Sequence, residues 1–174
     1  MSYREYSYVG PELFLDLAMK NPSTGCAIQT FDQLIHWLKA QSADRLSDES
    51  VVATFVLCTG LKLRLAPRRS EHIACARGEP VLSAGEMTFS ERGELVEVSN
   101  QSTGFCPEPA SWRVLEQALD TIPIRHPGKF TTKIIFRRCP SCLQRNIVKD
   151  DWLFCELCGS ELPETWNFGR CGTS

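Results

Sequence analysis

The sequence predicts an α+β protein with a mostly antiparallel sheet and two or three packing helices, followed by a small β module at the C-terminal end. Two observations predict the body: apolar residues recur with the helical period early and late in it, and the stretch between is rich in β-branched and alternating apolar residues. A third observation, two Cys-x-x-Cys pairs near the end, sets the last segment apart. We therefore expect an α+β body over residues 1–124 and a separate module over residues 125–174.

The composition is that of an ordinary globular chain. Hydrophobic residues make up 43% of the 174 residues, charged residues 23%, and the formal charge is -2 at pH 7, so gross charge names no partner. The N-terminal stretch lacks a basic segment followed by a long apolar one, and no run reaches the roughly 18 apolar residues of a membrane helix. We therefore expect neither export nor membrane insertion, and a cytoplasmic location.

Three segments carry a helical pattern. A short amphipathic run covers residues 12–19. The second helix begins at Thr30, an N-cap candidate with Gln33 at the capping-box position. Its apolar face comprises Phe31, Leu34, Ile35 and Leu38. The third helix is predicted over residues 111–119, with Ser111 as its N-cap.

The segments between these helices have the patterns of strands. Residues 51–58 are apolar or β-branched throughout, which is typical of a buried strand, and residues 61–65 alternate as a half-exposed strand does. Three further strand-like pieces follow at 72–76, 80–90 and 94–99. Arg92-Gly93 favours a hairpin turn between the last two. Another strand is predicted at 133–138, just before the first cysteine pair.

Four of the nine cysteines have the spacing of metal ligands: Cys139, Cys142, Cys155 and Cys158. Two cysteines separated in this way can turn both thiolates inward across a tight knuckle whose backbone amides point toward the sulfurs. Two such knuckles complete a tetrahedron, and Gly159 suits a knuckle position with positive φ. The pattern predicts one Zn²⁺ per chain, with iron as the main chemical alternative.

The segment between the two pairs reads as a β-hairpin, with residues 146–148 and 152–154 flanking a polar turn. The arrangement from about Arg137 to Leu162 resembles a rubredoxin-type zinc ribbon. Four thiolates leave no open coordination position, so the site is expected to be structural rather than catalytic. The remaining cysteines are expected to be mostly buried, inert thiols: Cys26, Cys58, Cys75, Cys106 and Cys171.

A basic strip without acids runs from residue 125 to residue 149. It comprises Arg125, Lys129, Lys133, Arg137, Arg138, Arg145 and Lys149. Zinc ribbons bind nucleic acid, and this strip with Phe130, Phe136 and Trp152 nearby offers phosphate contacts and a stacking surface. The candidate contacts are Arg137, Arg138 and Arg145. The competing interpretation, favoured by the negative net charge of the chain, is a solvated strand face.

The stretch from His72 to Trp112 follows a recognisable order: a His, a G-x-P-V-x-x-A-G-E strand, a turn, and an N-x-S segment ending in Pro. It resembles a module of bacterial effector and toxin-like proteins and of plant IQ-motif calmodulin-binding proteins. The resemblance implies a shared β-hairpin framework. Thr103-Gly104 stands where the family has Gly-His, so a function that needs that histidine does not carry over.

Four polar residues of this module form a candidate binding site: His72, Glu86, Asn100 and Ser102. In one interpretation they converge in a polar pocket at the strand ends, where binding groups commonly sit. In the other, Asn100 and Ser102 fold back on the backbone and only shape the turn.

Three function classes stay open. The leading hypothesis is a non-enzymatic zinc-binding protein that acts through protein-protein contact, as an adaptor, an immunity-type inhibitor or a regulatory subunit. The alternative is a nucleic-acid-binding protein that uses the basic strip. The second alternative is an enzyme with its site in residues 72–112, although the sequence contains no Walker, zincin or nucleophile-elbow motif.

Overall fold

The computed structural model of the protein describes residues 2–21 and 25–169, apart from the side chain of Asp44. The chain divides into two compact units, and the boundary between them falls between Lys133 and Ile134. The first unit contains helices and a five-stranded sheet, and the second contains a two-stranded sheet. This confirms the α+β class that the sequence predicts.

The first unit is built on an antiparallel sheet. Its strands are β1 (Cys26–Ile28), β2 (Val51–Cys58), β3 (Lys62–Pro67), β4 (Val81–Phe89) and β5 (Leu95–Ser99). Their order in the sheet is β1-β3-β2-β4-β5. The helices are α1 (Glu12–Lys20), α2 (Phe31–Ala40), α3 (His72–Cys75) and α4 (Trp112–Thr121). The second unit contains β6 (Ile135–Arg138) paired with β7 (Arg145–Val148).

Strand β2 lies at the centre of the sheet and is buried along its whole length, as its unbroken apolar sequence predicts. On one face, Phe55 belongs to a core cluster with Leu34 of α2 and Leu115 of α4. Helix α3 also contacts β2, and it buries Ile73 and Cys75 outside that cluster. The predicted helices over the second and third helical segments are therefore confirmed as the elements that cover the sheet.

The N-cap of α2 is the predicted one. The Thr30 hydroxyl accepts a hydrogen bond of 3.2 Å from the Gln33 amide, and the Gln33 side chain accepts one of 2.8 Å from the Gln29 amide. The prediction that Ser111 caps α4 by its side chain is wrong. A 3₁₀ turn, Pro109–Ser111, leads directly into the helix, so Ser111 has helical dihedral angles and its hydroxyl instead lies 3.0 Å from the Ser83 hydroxyl.

The strand predicted at residues 72–76 is a helix, α3. Strands β3 and β4 both pair with β2, one on each side, so the chain between them must cross over β2 and cannot form a hairpin. A short helix makes this crossover while burying Ile73 and Cys75. It ends where Arg77 and Gly78 adopt left-handed dihedral angles. The apolar spacing of so short a segment does not distinguish a strand from a helix.

The single cysteines mostly match expectation. Cys58, Cys75 and Cys106 are buried, and burial raises the pKa of the Cys75 thiol to about 12. Cys26 is the exception to this expectation: it is exposed, because β1 is an edge strand in which Cys26 and Ala27 are both open to solvent. Cys171 lies outside the described residues.

Candidate metal centre

The second unit brings the four predicted cysteine ligands together. All four sulfur atoms lie within 4.8 Å of one another. Cys139 Sγ is 3.5 Å from Cys158 Sγ, and Cys142 Sγ is 3.6 Å from Cys155 Sγ. A tetrahedron of sulfurs around Zn²⁺ with Zn–S bonds of about 2.3 Å has edges of about 3.8 Å. The donor set and its dimensions therefore fit a single tetrahedral metal ion.

The two knuckles have the same backbone hydrogen bonds. In the first, the Cys139 amide donates to the Gln144 carbonyl at 2.8 Å and the Leu143 amide donates to the Cys139 carbonyl at 3.0 Å. In the second, the Cys155 amide donates to the Ser160 carbonyl at 2.8 Å and the Gly159 amide donates to the Cys155 carbonyl at 2.9 Å. Each Cys-x-x-Cys pair is thus held by its own closed loop, which presents two sulfurs to one point.

Each knuckle is closed by a pair of antiparallel segments. Strands β6 and β7 meet across the first knuckle, and an isolated bridge joins Phe154 to Glu161 across the second. The predicted hairpin between residues 146–148 and 152–154 is therefore replaced by two pairings that each enclose one cysteine pair. Each pairing joins the segments before and after one knuckle, and this fixes the direction in which the two sulfurs of that knuckle point.

Polar groups beside the sulfurs favour thiolates. The Asn146 side-chain amide donates to Cys155 Sγ at 3.5 Å, while its carbonyl oxygen accepts the Glu156 amide at 3.0 Å. The Ser160 hydroxyl lies 3.3 Å from Cys158 Sγ and donates to it once the thiolate forms. Such groups around the ligands orient them and strengthen binding.

The ionisation of the cluster suits a cation. Burial raises the pKa of the Cys155 thiol, but the amides of Cys158 and Leu157 and the Asn146 side chain outweigh it and bring that pKa to about 6. The pKa of Cys158 is also lowered, chiefly by the Ser160 hydroxyl. A backbone contact at Gln144 lowers the pKa of Cys142, but burial and the other three sulfurs raise it to about 12, so a metal ion must displace its proton.

The core of the second unit is small. Cys139, Cys155 and Leu162 form its buried cluster, so two of the three members are candidate metal ligands. Among the described residues of this unit, Phe136 and Phe168 are the other buried hydrophobic ones, and they lie outside that cluster. A unit that buries so few apolar side chains depends on a further stabilising contact, and a metal ion supplies one.

Arg137 is tied into the fold of the second unit. Its guanidinium donates three hydrogen bonds to backbone carbonyls: to Phe136 at 2.7 Å, to Pro163 at 3.0 Å and to Glu164 at 2.6 Å. The Arg137 guanidinium is thereby engaged in linking β6 to the segment after the second knuckle.

The other residues of the basic strip have mixed environments. The Arg138 guanidinium lies over the Phe168 ring, 5.1 Å from its centroid, and its backbone amide and carbonyl both bond the Asn167 side chain. Arg145 is half-buried. Arg125 forms an ion pair with Glu94 at 3.0 Å.

The three aromatic residues beside the strip differ in exposure. Phe130 and Phe136 are buried, so neither presents a ring face to a base. Trp152 is 66% exposed and lies 5.0 Å from Phe154 between ring centroids. Of the predicted stacking surface, only Trp152 is available at the surface.

The four polar residues of the 72–112 module have distinct environments. His72 Nε2 lies 2.9 Å from the Gly85 carbonyl oxygen and, as a donor to it, must carry the proton on that nitrogen. Asn100 is fully buried and donates to the Pro107 carbonyl at 2.8 Å. Ser102 is buried, and its hydroxyl has no hydrogen-bond partner among the described residues. Glu86 is half-buried and lines surface concavities with Thr88 on one side and Arg68 on the other.

Two residues near the sulfurs are not revealed by the cysteine spacing. Asn146 lies in β7 just before the apolar residues Ile147 and Val148, and it is 3% exposed, which identifies it as a buried polar group with a specific task. Ser160 follows the second cysteine pair by two positions, where a small hydroxyl reaches back to the preceding sulfur. The signal for both is local: a polar residue beside a knuckle.

Comparison of the chain with protein-family models, curated proteins and solved structures gave no significant match. The family comparison thus adds no support to the resemblance of residues 72–112. Within residues 2–21 and 25–169, no helix is long and apolar enough to cross a lipid bilayer. The class defined by fold and site is an α+β protein with a four-cysteine candidate metal centre.

Proposed function

We propose that the protein is a non-enzymatic zinc-binding protein, in which one Zn²⁺ per chain holds the second unit folded and the protein acts through protein-protein contact. The observation that carries the metal assignment is the convergence of Cys139, Cys142, Cys155 and Cys158 within 4.8 Å. Four sulfur donors in tetrahedral dimensions favour Zn²⁺. A site of four thiolates needs a reducing environment, which supports a cytoplasmic location.

A structural role for the metal is supported by two features. Four protein thiolates occupy all four coordination positions of a tetrahedral ion and leave none for a substrate or water. The small core of the second unit also leaves a large share of its stability to the ion, roughly 10 kcal/mol by comparison with small zinc modules.

The proposed role in protein contact is supported by exposed apolar side chains on the second unit. Leu143, Trp152 and Leu157 are each about two-thirds exposed, and Phe154 lies beside Trp152. Leu143 and Leu157 sit in the two knuckles, so the same ion that closes the knuckles holds them at the surface. Large apolar side chains kept at a surface in this way are typical of a binding surface.

The metal assignment is tested by elemental analysis of the purified protein. We expect about one zinc per chain, lost in the double variant Cys139→Ser/Cys142→Ser and kept in the control variant Cys26→Ser, whose thiol is exposed and outside the cluster. Zinc retained in the double variant would contradict the assignment, as would iron in place of zinc in the wild type.

The contact role is tested with nuclease-treated native lysate. We expect the wild type to retain a protein partner that the variant Trp152→Ser/Phe154→Ser loses, while Val96→Ser, an exposed apolar residue of the first unit, has no effect. Capture that disappears with nuclease treatment, or that is equal for both variants, would contradict this role.

A further inference from the structure

A cationic pocket lies in the first unit, at the start of α4. Its volume is about 320 Å³, and its lining includes Pro109, Trp112, Phe130 and three cations, Arg113, Lys129 and Lys133. Trp112 and Phe130 are among the residues of its wall, and the cations belong to its rim because all three are exposed. No carboxylate lines it among the described residues. An apolar wall with a rim of one charge is the composition of a site for an anionic ligand that carries an apolar group.

The three cations are not used by the fold. Within the part of the chain that the structure describes, Arg113, Lys129 and Lys133 have no ion pair and no side-chain hydrogen bond. Of the nearby acids, Glu108 pairs with Arg4 and Asp120 lies 3.1 Å from His126, while Glu116, one turn along α4 from Arg113, forms no ion pair with it in the described part of the chain. Three unpaired cations around one concavity repel one another, and an anionic ligand relieves that repulsion.

The first turn of α4 carries no acidic residue that would oppose an anion at the pocket, whereas the first turns of α1 and α2 contain Glu12 and Asp32. Arg113 takes the second position of α4, where an acid would ordinarily be favoured by the helix dipole. The 3₁₀ turn Pro109–Ser111 precedes α4, and the acid at the start of that turn, Glu108, has its carboxylate engaged by Arg4.

The aromatic wall selects against a nucleic-acid base. Trp112 is 9% exposed and its ring meets those of His126 and Phe130 at centroid distances of 5.5 and 5.3 Å. Phe130 is 2% exposed. Base stacking needs an open ring face, and neither residue has one. What remains is a small apolar recess, which admits an aliphatic or aromatic side chain.

We propose that this pocket binds an acidic segment of a protein partner, with one apolar side chain in the recess and flanking carboxylates on Arg113, Lys129 and Lys133. The inference rests on the proposed role in protein contact and names the chemistry of the partner. A peptide is favoured over nucleic acid because the chain has a net charge of -2, which repels a polyanion but leaves a local basic rim effective over short distances.

The inference is tested with a phage library of random heptapeptides, selected in parallel on three zinc-loaded full-length proteins. These are the wild type, the pocket variant Arg113→Glu/Lys129→Glu/Lys133→Glu, and the control variant Lys20→Glu/Lys39→Glu/Arg92→Glu. The control changes three exposed cations of the same unit outside the pocket and shifts the net charge equally. Circular dichroism and zinc content confirm that each protein is folded.

We expect the wild type and the control to enrich peptides in which two or more carboxylates flank an apolar residue. Synthetic copies of these peptides should bind the pocket variant about a hundredfold more weakly, and wild-type affinity should fall steeply with added salt. Should the pocket variant fail to fold, Lys129→Gln/Lys133→Gln, which alters only exposed side chains, replaces it with an expected loss of about tenfold.

Three results would overturn the inference. The first is enrichment of peptides without acidic residues, or binding unchanged in the pocket variant, which leaves the proposed contact role intact. The second is that no peptide is enriched while the nuclease-resistant capture through Trp152 and Phe154 persists. This result also contradicts the proposed pocket and leaves the proposed contact role standing. The third is no enrichment together with tight binding of a twenty-nucleotide oligo(dT) that the pocket variant loses, which contradicts the pocket and the contact role together.

Discussion

Leu143 and Gly159 occupy equivalent positions in the two knuckles, and both have left-handed dihedral angles. Each directly follows the second cysteine of its pair, with φ of 64° at Leu143 and 74° at Gly159. Each also donates its amide to the carbonyl of the first cysteine of that pair. The left-handed turn is therefore a requirement of the knuckle itself. Glycine meets it without strain, whereas leucine meets it at a cost of about 1–2 kcal/mol.

This relationship predicts opposite outcomes for two matched substitutions. A Cβ built at Gly159 meets no atom within 4 Å, so Gly159→Ala should lower the free energy of unfolding by about 1 kcal/mol through backbone strain alone. Leu143→Gly should cause no comparable loss, because relief of strain offsets the greater backbone entropy of glycine and the leucine side chain is 68% exposed. Thermal unfolding of the zinc-loaded proteins measures both. An equal loss in the two variants would contradict the equivalence of the knuckles.

Removal of the metal should unfold the second unit and spare the first. The second unit has a buried cluster of only Cys139, Cys155 and Leu162, whereas the first has a large apolar core around β2. Hydrogen exchange with a chelator present should therefore show loss of protection in β6 and β7 and unchanged protection in β2 and β4. Restoration by added Zn²⁺ is the control. Retained protection in β6 and β7 after complete zinc loss would contradict a structural role for the ion.

Acidification should release the metal, and the contact from Asn146 should lower the pH at which release occurs. Protons compete with the metal ion for all four sulfurs, and the pKa of Cys155, lowered from its ordinary value of 9.0 to about 6, makes this sulfur one of those that hold the ion most readily as the pH falls. Asn146→Ala removes a donor to this sulfur. The variant should bind zinc about 10 to 100 times more weakly and release it at a higher pH.

The matched control for this experiment is Gln144→Ala, which removes an exposed amide side chain from the same hairpin. Its zinc release, followed with a chromogenic chelator between pH 8 and pH 4, should coincide with that of the wild type. An Asn146→Ala curve that also coincides with the wild type would show that the 3.5 Å contact with Cys155 contributes nothing to binding.

How far the sequence predicts this structure depends on the length of each pattern. The eight apolar or β-branched residues of β2 and the helical spacing of α2 extend over enough positions to fix both the element and its buried face. The cysteine spacing predicts the metal centre for a different reason. Four identical ligand residues in two matched pairs specify a tetrahedron whatever the elements around them.

The features that the sequence did not predict are those that depend on tertiary structure. Residues 72–76 form a helix because β3 and β4 lie on opposite sides of β2, and nothing in those five residues encodes that strand order. Arg137 belongs to the fold because Pro163 and Glu164 return to it from far along the chain. Its charge alone could not distinguish it from Arg138 or Lys149 in the basic strip.

The last prediction concerns His72, which ties α3 to the sheet. Its Nε2 bonds the carbonyl of Gly85 at 2.9 Å, and a Cβ added at Gly85 would lie 1.9 Å from the Ser99 carbonyl oxygen, so the strand is fixed on both sides. Burial lowers the pKa of His72, although the Gly85 carbonyl opposes this by favouring the protonated ring. The ring is therefore neutral at pH 7 in the folded protein.

Because the folded pKa of His72 lies below the unfolded value of about 6.5, the unfolded chain binds the extra proton first. The contribution of the neutral ring to stability is fully present above about pH 6.5 and declines as the pH falls below it. His72→Gln, which cannot titrate, should therefore lose less stability than the wild type between pH 7 and pH 5. The matched control is the same substitution at the exposed His36, which removes an imidazole from the surface. At pH 7, His72→Ala should cost about 1–2 kcal/mol through the lost hydrogen bond, measured by denaturant unfolding, with zinc content unchanged. Parallel pH profiles for wild type and His72→Gln would contradict a lowered pKa of His72 in the folded protein, and an unchanged stability of His72→Ala at pH 7 would contradict its role in linking α3 to the sheet.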